Sequence, residues 1–342
     1  MRPFKSITDI FRRLPSEQHA RRFLEELIWP NGRFCPHCGS VETTELKGAR
    51  TRRGLYQCRD CRCQFTVTTK TPMHSTKLDL RIWIAAMFLI LTSSKGISSV
   101  ALARMIGTTQ TTAWKLGHAI REMMMHRELD FLPLDGIVEI DEAYVGGKPK
   151  FKHGVVNKRG RGTRKTPILV LATRDGKAFA QVLRKSDRLS VDRIIQQNVD
   201  PSAEIKTDAS SLYEHLSETY RSHCTVLHGA RQYVGDDGVT HINTVESFNG
   251  LVKRTLVGVF HRLKGPHLQR YLQEISWRWN HRDPTEKVRQ IGEDTIVTTV
   301  YRPEVFMEQL ADLLSVAVGR QVRRAVNYGL RWPPPIGPGF AL

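Results

Sequence analysis

The sequence predicts an α/β core preceded by a small cysteine-rich module and a helical module. Apolar strand-like runs alternate with helix-like runs between residues 133 and 284, a pattern typical of α/β domains. Four of the six cysteines fall between residues 35 and 61. The chain carries 52 Lys and Arg against 34 Asp and Glu, and its net charge of +18 indicates a polyanionic partner.

The composition excludes several protein classes. Hydrophobic residues make up 40% of the chain and charged residues 25%, which argues against wholesale disorder and against collagen-like or mucin-like chains. The longest apolar run, residues 82–91, is too short for a membrane span of about 20 residues. The charged N-terminal segment lacks the apolar stretch of a signal peptide. We therefore expect a cytoplasmic protein whose clustered cysteines bind metal rather than forming disulfides.

Five segments are predicted along the chain. Their order is a helical lead, a zinc ribbon, a helix-turn-helix module, the α/β domain and a C-terminal tail, at residues 1–30, 31–70, 75–127, 133–284 and 285–342. The tail ends in RWPPPIGPGF, which is rich in Pro and Gly, so we expect an extended or loose end.

The cysteine spacing predicts a structural zinc site. Cys35 and Cys38 form one C-x2-C pair, and Cys58 and Cys61 form the second. Two such pairs offer four thiolates in a closed tetrahedron, so the ion would stabilise the fold rather than take part in catalysis. Cys63 is a fifth candidate, which we expect to be a bystander; the alternative is that it replaces Cys61 as a ligand.

The next module reads as a helix-turn-helix. Residues 97–107 predict a short helix closed by a glycine, and residues 108–121 predict a second helix with threonines available as caps. Apolar residues at helical spacing would face the core. The polar side chains left on the other faces could reach a DNA groove, and we take Gln110, Lys115 and Arg121 as the candidates.

Three acids are the catalytic candidates. Asp141 lies in a strand that ends in a glycine turn, Asp208 ends a short strand, and Glu246 opens a helix. Between the first two acids stand a strand at 167–173 and another at 178–183, joined by a hairpin turn. This order of elements is that of an RNase H-like core, in which such acids converge on one edge.

Phosphodiester chemistry explains the need for acids. Attack at phosphorus builds negative charge, which two Mg²⁺ ions can stabilise when carboxylates hold them. An unpaired charge in an apolar strand is costly, so Asp141 and Asp208 require an explanation. Asn243, Glu246 and Lys253 share one helix face, which would set an acid at the ions and a base at a DNA phosphate.

Other cations are expected to grip the DNA backbone. Arg254 follows Lys253 on the same helix. Residues 148–165 contain eight Lys and Arg and no acid, as expected for a basic loop near the first catalytic strand. Its candidate phosphate contacts are Lys148, Lys150, Lys158, Arg159, Arg161 and Arg164.

Longer stretches of the sequence resemble a known family. CPHCGS and YQCRDCRCQF are followed in order by ISSVALARMIGTTQTTAWKLGHAIREM, VEIDEAYVGGK and HINTVESFNGLVKRTLVGVFH. The chain resembles the ISXO-like insertion-sequence transposases, which join a zinc ribbon to a DDE integrase-like domain, over about residues 15–284. The run GVFHRLKGPHL and the tail beyond residue 285 depart from the family pattern.

The resemblance implies a DNA transposase that cuts at the ends of its element and joins them to target DNA. It implies Asp141 and Asp208 as the first two acids and a third within residues 241–246. We choose Glu246, because a carboxylate binds Mg²⁺ better than an amide, with Asn243 as the substitute. Glu142 ranks below, since neighbouring strand residues point to opposite faces.

The expected mechanism needs no covalent enzyme intermediate. Water would cleave a strand at the element end, and the freed 3′-hydroxyl would attack target DNA. The expected cofactors are two Mg²⁺ or Mn²⁺ ions and structural Zn²⁺. The expected partners are double-stranded DNA, at the element ends and at the target, and further copies of the chain in a homodimer or higher oligomer.

Two other functions stay open at this point. One is a non-catalytic DNA-binding regulator that uses the ribbon and the helix-turn-helix, with the α/β domain as a scaffold. The other is a nuclease of the same fold, which would cleave strands but never join them.

Overall fold

The computed structural model describes residues 2–125, 133–147, 153–154, 162–226, 240–261, 263, 267–291, 294–303, 305–320, 322–324 and 330–331. The chain forms two compact units. One unit combines Met1–Met125 with His281–Leu342, and the other is His126–Asn280. Within the described residues, no helix combines the length and the apolar content that a membrane span requires.

The described residues form α-helices and β-strands, numbered here in chain order. The helices are α1 (Ile7–Arg13), α2 (Glu17–Ile28), α3 (Leu80–Thr92), α4 (Ser99–Ile106), α5 (Gln110–Met123), α6 (Arg188–Asn198), α7 (Asn243–Thr255), α8 (Leu268–Asn280) and α9 (Phe306–Ser315). The strands are β1 (Thr43–Glu45), β2 (Tyr56–Cys58), β3 (Gln64–Phe65), β4 (Ile137–Val145), β5 (Thr166–Thr173), β6 (Ala178–Val182), β7 (Glu204–Asp208), β8 (Ser222–Val226), β9 (Arg282–Ile291), β10 (Asp294–Pro303), β11 (Arg323–Arg324) and β12 (Leu330–Arg331).

The cysteine-rich module is a small antiparallel sheet in the order β1-β2-β3. Its apolar side is completed by a residue from outside the sheet. Trp29, directly after α2, packs edge-on against Tyr56 at 5.6 Å and against Phe65 at 6.1 Å between ring centroids. These aromatic contacts join α2 to the strands, because three strands of two or three residues bury little apolar surface alone.

Local sequence signals account for the helix pair α4 and α5. The Ser98 side chain accepts a hydrogen bond from the backbone N–H of Ala101 at the start of α4. Gly107 ends that helix with a φ of 66°, a conformation that glycine adopts without strain. The Thr109 side chain then caps α5 through the N–H of Thr112.

The segment after residue 280 contains more structure than the sequence indicated. We expected a tail of uncertain structure from residue 285, but β9 and β10 form a hairpin there and α9 follows it. Phe306 of α9 lies 6.4 Å from Phe4 and 5.0 Å from Phe88 between ring centroids. This segment therefore contributes to the core of the first unit. The Pro/Gly-rich run at 332–340 lies outside the described residues.

A buried arginine strengthens that connection. The Arg320 guanidinium donates hydrogen bonds to the backbone carbonyls of Glu122, at 2.7 Å, and Met125. Both carbonyls lie at the C-terminal end of α5, where helix carbonyls lack the regular intrahelical donor. The C-terminal segment thus caps a helix end that lies 198 positions earlier in the sequence.

The second unit is built on a five-stranded sheet, within the described residues, in the order β6-β5-β4-β7-β8. The strands β4, β7 and β8 are parallel to one another, whereas β5 and β6 run antiparallel to their neighbours. One sheet face packs on α7 and α8, and the other packs on α6. Burial on both faces explains why β5 is a nearly continuous apolar run.

Candidate active site

Asp141 lies near the centre of β4, on the face that packs against α7. Ala143 and Val145, at the alternate positions, belong to the core on that face. The Asn249 side-chain amide donates a hydrogen bond to Asp141 Oδ2 at 2.8 Å. The backbone N–H of Glu142 donates to the other carboxylate oxygen, also at 2.8 Å. The carboxylate is therefore held between a strand and a helix.

The other two predicted acids lie near Asp141. Burial raises the pKa of Asp141 to about 6, and the negative charges of Asp208 and Glu246 contribute to this rise. Asp208 is at the end of β7, the strand paired with β4, and Glu246 is in the first turn of α7. The fold thus brings together three carboxylates that are far apart in the sequence.

The carboxylates are spread more widely than the ligands of one ion. Among the described residues, the one group of three or more His, Cys, Asp or Glu side chains close enough to share a single ion is the cysteine group.

The two lower-ranked candidates, Asn243 and Glu142, lie in different places relative to the three acids. Asn243 is exposed, one turn before Glu246, and its backbone N–H donates to Nδ1 of His241 at 3.4 Å. Glu142 accepts a hydrogen bond from the Ser186 hydroxyl at 3.0 Å. Ser186 precedes α6, so the Glu142 side chain lies on the sheet face opposite to Asp141, as strand alternation requires.

Two functional candidates were missed in the sequence. Asn249 Oδ1 and the Tyr213 hydroxyl are buried and have no hydrogen-bond partner among the described residues. Burial and the nearby charges of Glu142, Asp141 and Asp208 raise the pKa of Tyr213 well above its usual value, so the phenol stays protonated. Asn249 could have been noticed three positions after Glu246, whereas nothing in the sequence singles out Tyr213.

The predicted DNA contacts have different environments. Lys253 and Arg254 are exposed in the last turn of α7, and Arg164 is exposed just before β5. Gln110 is exposed and donates to the Ser99 hydroxyl at 2.8 Å, while Lys115 is half-buried. The remaining loop candidates lie outside the described residues: Lys148, Lys150, Lys158, Arg159 and Arg161.

The interpretation of Arg121 as a DNA contact was wrong. Arg121 is only 4% exposed, and its guanidinium folds back over Gly117 of the same helix. The last two turns of α5 are buried on every side, since residues 116–124 are all buried. A side chain in this position cannot enter a groove.

The four predicted zinc ligands form one cluster. The sulfur atoms of Cys35, Cys38, Cys58 and Cys61 all lie within 4.8 Å of one another. The Sγ–Sγ distances of 3.6 Å, for Cys35–Cys61 and Cys38–Cys58, are close to the edge of about 3.8 Å expected for a tetrahedral zinc site. Cys63 is exposed and is not in the cluster. The group is a structural zinc site, with Cys61 as the fourth ligand.

The pKa values of two of these thiols also differ. Burial raises the pKa of Cys35 to about 12. The backbone N–H of Cys61 is the main influence that lowers the pKa of Cys58 to about 7. Zinc binds thiolates, and of these two ligands Cys58 ionises more readily.

Family models match the cysteine-rich module and the second unit. The transposase zinc-ribbon domain matches residues 15–64, and the ISXO2-like transposase domain matches residues 133–280. An uncharacterised protein in the transposable element ISH50 of Halobacterium salinarum is 27% identical over 254 residues, which cover 70% of this chain and 83% of that protein.

Solved structures of the Mos1 transposase show a weaker likeness. Its paired-end complex with the left transposon end has a TM-score of 0.24 at 11% identity, covering 58% of this chain and 76% of that chain. A pre-cleavage Mos1 transpososome has a TM-score of 0.24 at 10% identity, covering 82% and 96%. At these TM-scores the likeness supports no conclusion about this chain. The two domain matches, in this order, instead establish that the chain belongs to the ISXO2-like insertion-sequence transposases.

Proposed function

We propose that this chain is a metal-dependent DNA transposase that cleaves the ends of its element and joins them to target DNA. The proposal assigns an RNase H-like fold to the second unit and the catalytic role to Asp141, Asp208 and Glu246. The observation that carries it is the clustering of the Asp208 and Glu246 carboxylates around Asp141, whose pKa is raised to about 6 mainly by burial and then by its acidic neighbours. Such a concentration of negative charge destabilises a fold unless cations or protons compensate it.

The side chains around Asp141 suit Mg²⁺ or Mn²⁺. Carboxylate, amide and hydroxyl oxygens are the hard donors that these ions prefer. Asn249, whose side-chain nitrogen contacts Asp141, adds one buried oxygen, Oδ1, that lacks a partner among the described residues. Asp141, Asp208 and Glu246 would hold two ions, which when bound would stabilise the attacking and the leaving oxygen.

The proposed reaction consists of two displacements at phosphorus. In the first, a water oxygen bonds to phosphorus and the bond from phosphorus to the 3′-oxygen breaks, which leaves a 3′-hydroxyl on the element end. In the second, that hydroxyl attacks a phosphodiester of the target and releases a target 3′-hydroxyl. The chain's contribution is to hold the acids ionised and the DNA in line.

DNA binding is proposed for several basic surfaces. Lys253 and Arg254 lie two turns beyond Glu246 on α7 and are exposed, so they are placed to contact a phosphate beside the acids. Gln110 and Lys115 would contact DNA from the pair α4 and α5, used as a helix-turn-helix. Pairing two element ends would require at least two copies of the chain.

Strand transfer on labelled oligonucleotides that carry the element ends tests the proposal. Asp208→Asn and Glu246→Gln should reduce cleavage and joining by at least about 1,000-fold, because each removes an ion ligand, while DNA binding persists. Asn243→Ala is the matched control on the same helix and should leave joining unchanged.

Three outcomes would contradict parts of the proposal. A regulator without catalytic activity would show no joining in the unmodified protein at any Mg²⁺ concentration. A nuclease would cleave the ends and never join them. Loss of joining in Asn243→Ala with full activity in Glu246→Gln would move the third ligand to the substitute position.

A further inference from the structure

Each strand that carries a catalytic acid also carries a buried charged residue two positions earlier. Glu139 precedes Asp141 on β4, and Lys206 precedes Asp208 on β7. Glu139 is 0% exposed and Lys206 is 5% exposed. Residues two apart in a strand share a face, so each charge lies on the same face as its acid. The parallel register pairs Glu139 directly with Lys206.

Glu139 caps α7, although it belongs to the sheet. One carboxylate oxygen, Oε2, accepts the backbone N–H groups of Thr244 at 2.7 Å and Val245 at 3.0 Å. The other oxygen accepts the Thr244 hydroxyl at 3.1 Å. The helix's own N-cap residue, Ile242, provides no side-chain hydrogen bond. A carboxylate at this end also interacts favourably with the helix dipole.

Further contacts hold the segment that leads into α7. Arg174 of the β5–β6 turn is 3.3 Å from Glu139 Oε1 and donates to the backbone carbonyl of His241 at 3.4 Å. The Lys206 ammonium donates to the Thr240 hydroxyl at 3.2 Å. Charged hydrogen bonds in a buried setting are strong and directional, so they fix residues 240–245 against both strands.

We propose that Glu139 and Lys206 are positioning residues that set the third acid, Glu246, in register with Asp141 and Asp208. Glu246 follows directly after the two amides that Glu139 binds. The strands that present two of the acids therefore also determine where the third one lies. This inference rests on the proposed function, which assigns the three acids to one catalytic site.

Two measurements on Glu139→Ala in the full, zinc-loaded chain test the inference. The amide hydrogens of Thr244 and Val245 should exchange at least about tenfold faster, because they lose their buried acceptor. Affinity for Mn²⁺, measured by the decrease in the free-ion paramagnetic resonance signal, should fall by about 10- to 100-fold, as for other residues that orient metal ligands. Glu139→Gln retains one acceptor oxygen. It should therefore recover part of the protection of the two amides and part of the Mn²⁺ affinity.

A matched control separates positioning from general stability. Asp187 caps α6 in the same unit, accepting the backbone N–H of Ser190 at 2.9 Å. Asp187→Ala should increase exchange at the start of α6 and leave Mn²⁺ affinity within about twofold of the unmodified protein, since no acid of the site lies on that helix.

The outcomes distinguish this inference from the proposed function. Unchanged exchange at Thr244 and Val245, or faster exchange with unchanged Mn²⁺ affinity, would overturn the positioning role of Glu139. If the unmodified protein binds no Mn²⁺ that Asp141→Asn removes, the proposed function fails. In that case exchange alone decides whether Glu139 anchors α7.

Discussion

Asp141 is a residue whose buried charge opposes folding. Its carboxylate is held by Asn249 and by the N–H of Glu142, yet burial and neighbouring acids keep its pKa at about 6, above the value of 3.8 for a free aspartate. Hydrogen bonding therefore compensates only part of the cost. The remaining cost is the free energy that a bound cation would recover.

This cost predicts a pH-dependent effect of Asp141→Asn. The folded state binds the Asp141 proton more tightly than the unfolded state, so this carboxyl destabilises the fold as pH rises from about 4 to above 6. Without Mg²⁺ or Mn²⁺, the substitution should raise the free energy of unfolding at pH 7.5 by about 3 kcal/mol. This increase in the free energy of unfolding should vanish near pH 4.

Thermal unfolding of the zinc-loaded protein at both pH values measures this effect. The control is Glu218→Gln, an exposed acid in the same unit, for which neither pH should show a gain. A loss of stability in Asp141→Asn at pH 7.5 would mean that the hydrogen bonds to this carboxylate outweigh its burial.

Among the elements, the zinc ribbon depends most on a metal. Its short strands obtain their apolar packing from Trp29 outside the sheet, so the four thiolates and one aromatic cluster hold it together. Cys58→Ser should reduce bound zinc from about one ion per chain to nearly none. It should also expose Trp29 to water, because the Tyr56 and Phe65 rings would no longer be held against it.

Zinc content and fluorescence check this prediction. Because the chain has six tryptophans, the spectrum of Trp29→Phe in the same background is subtracted to isolate the signal of Trp29. Cys63→Ser is the matched control, since Cys63 is exposed and outside the cluster. Equal zinc loss in both variants would contradict the assignment of Cys58 as a ligand and Cys63 as a bystander.

Elements with a local signal could be predicted from the sequence. Cysteine spacing identifies the ribbon, and apolar runs with a hairpin turn identify the sheet of the second unit, because both signals lie within a few consecutive residues. The contacts from Glu139 to Thr244 and from Asn249 to Asp141 join residues more than 100 positions apart, with separations of 105 and 108. No local pattern contains such information. The burial of Arg121 was missed for the same reason, since it depends on packing partners from other segments.

For the whole molecule, the charge of +18 predicts DNA binding that weakens steeply with salt. Each neutralised phosphate contributes about −0.9 to the slope of log K against log salt concentration. Lys253→Gln should make this slope shallower by about one unit if Lys253 contacts a phosphate. Fluorescence anisotropy with labelled duplex DNA, at salt concentrations from about 50 to 200 mM, measures it.

The control for this measurement is Lys177→Gln. Lys177 is exposed in the β5–β6 turn. Arg174 of that turn contacts the segment before α7, whereas Lys253 is in the last turn of the helix, so loss of Lys177 should lower affinity slightly and leave the slope unchanged. Equal slopes for Lys253→Gln and the unmodified protein would remove Lys253 from the DNA interface.

The return of α9 and Arg320 to the first unit has a consequence for biosynthesis. Residues 126–280 emerge from the ribosome before Phe306 and Arg320 do. All residues of the second unit are therefore available for folding while the first unit still lacks its last packing partners. During this interval α5 lacks its guanidinium cap, and the apolar surface destined for α9 stays open to water or to chaperones. A premature stop codon after residue 300 would therefore damage the unit that is translated first and spare the one translated in between.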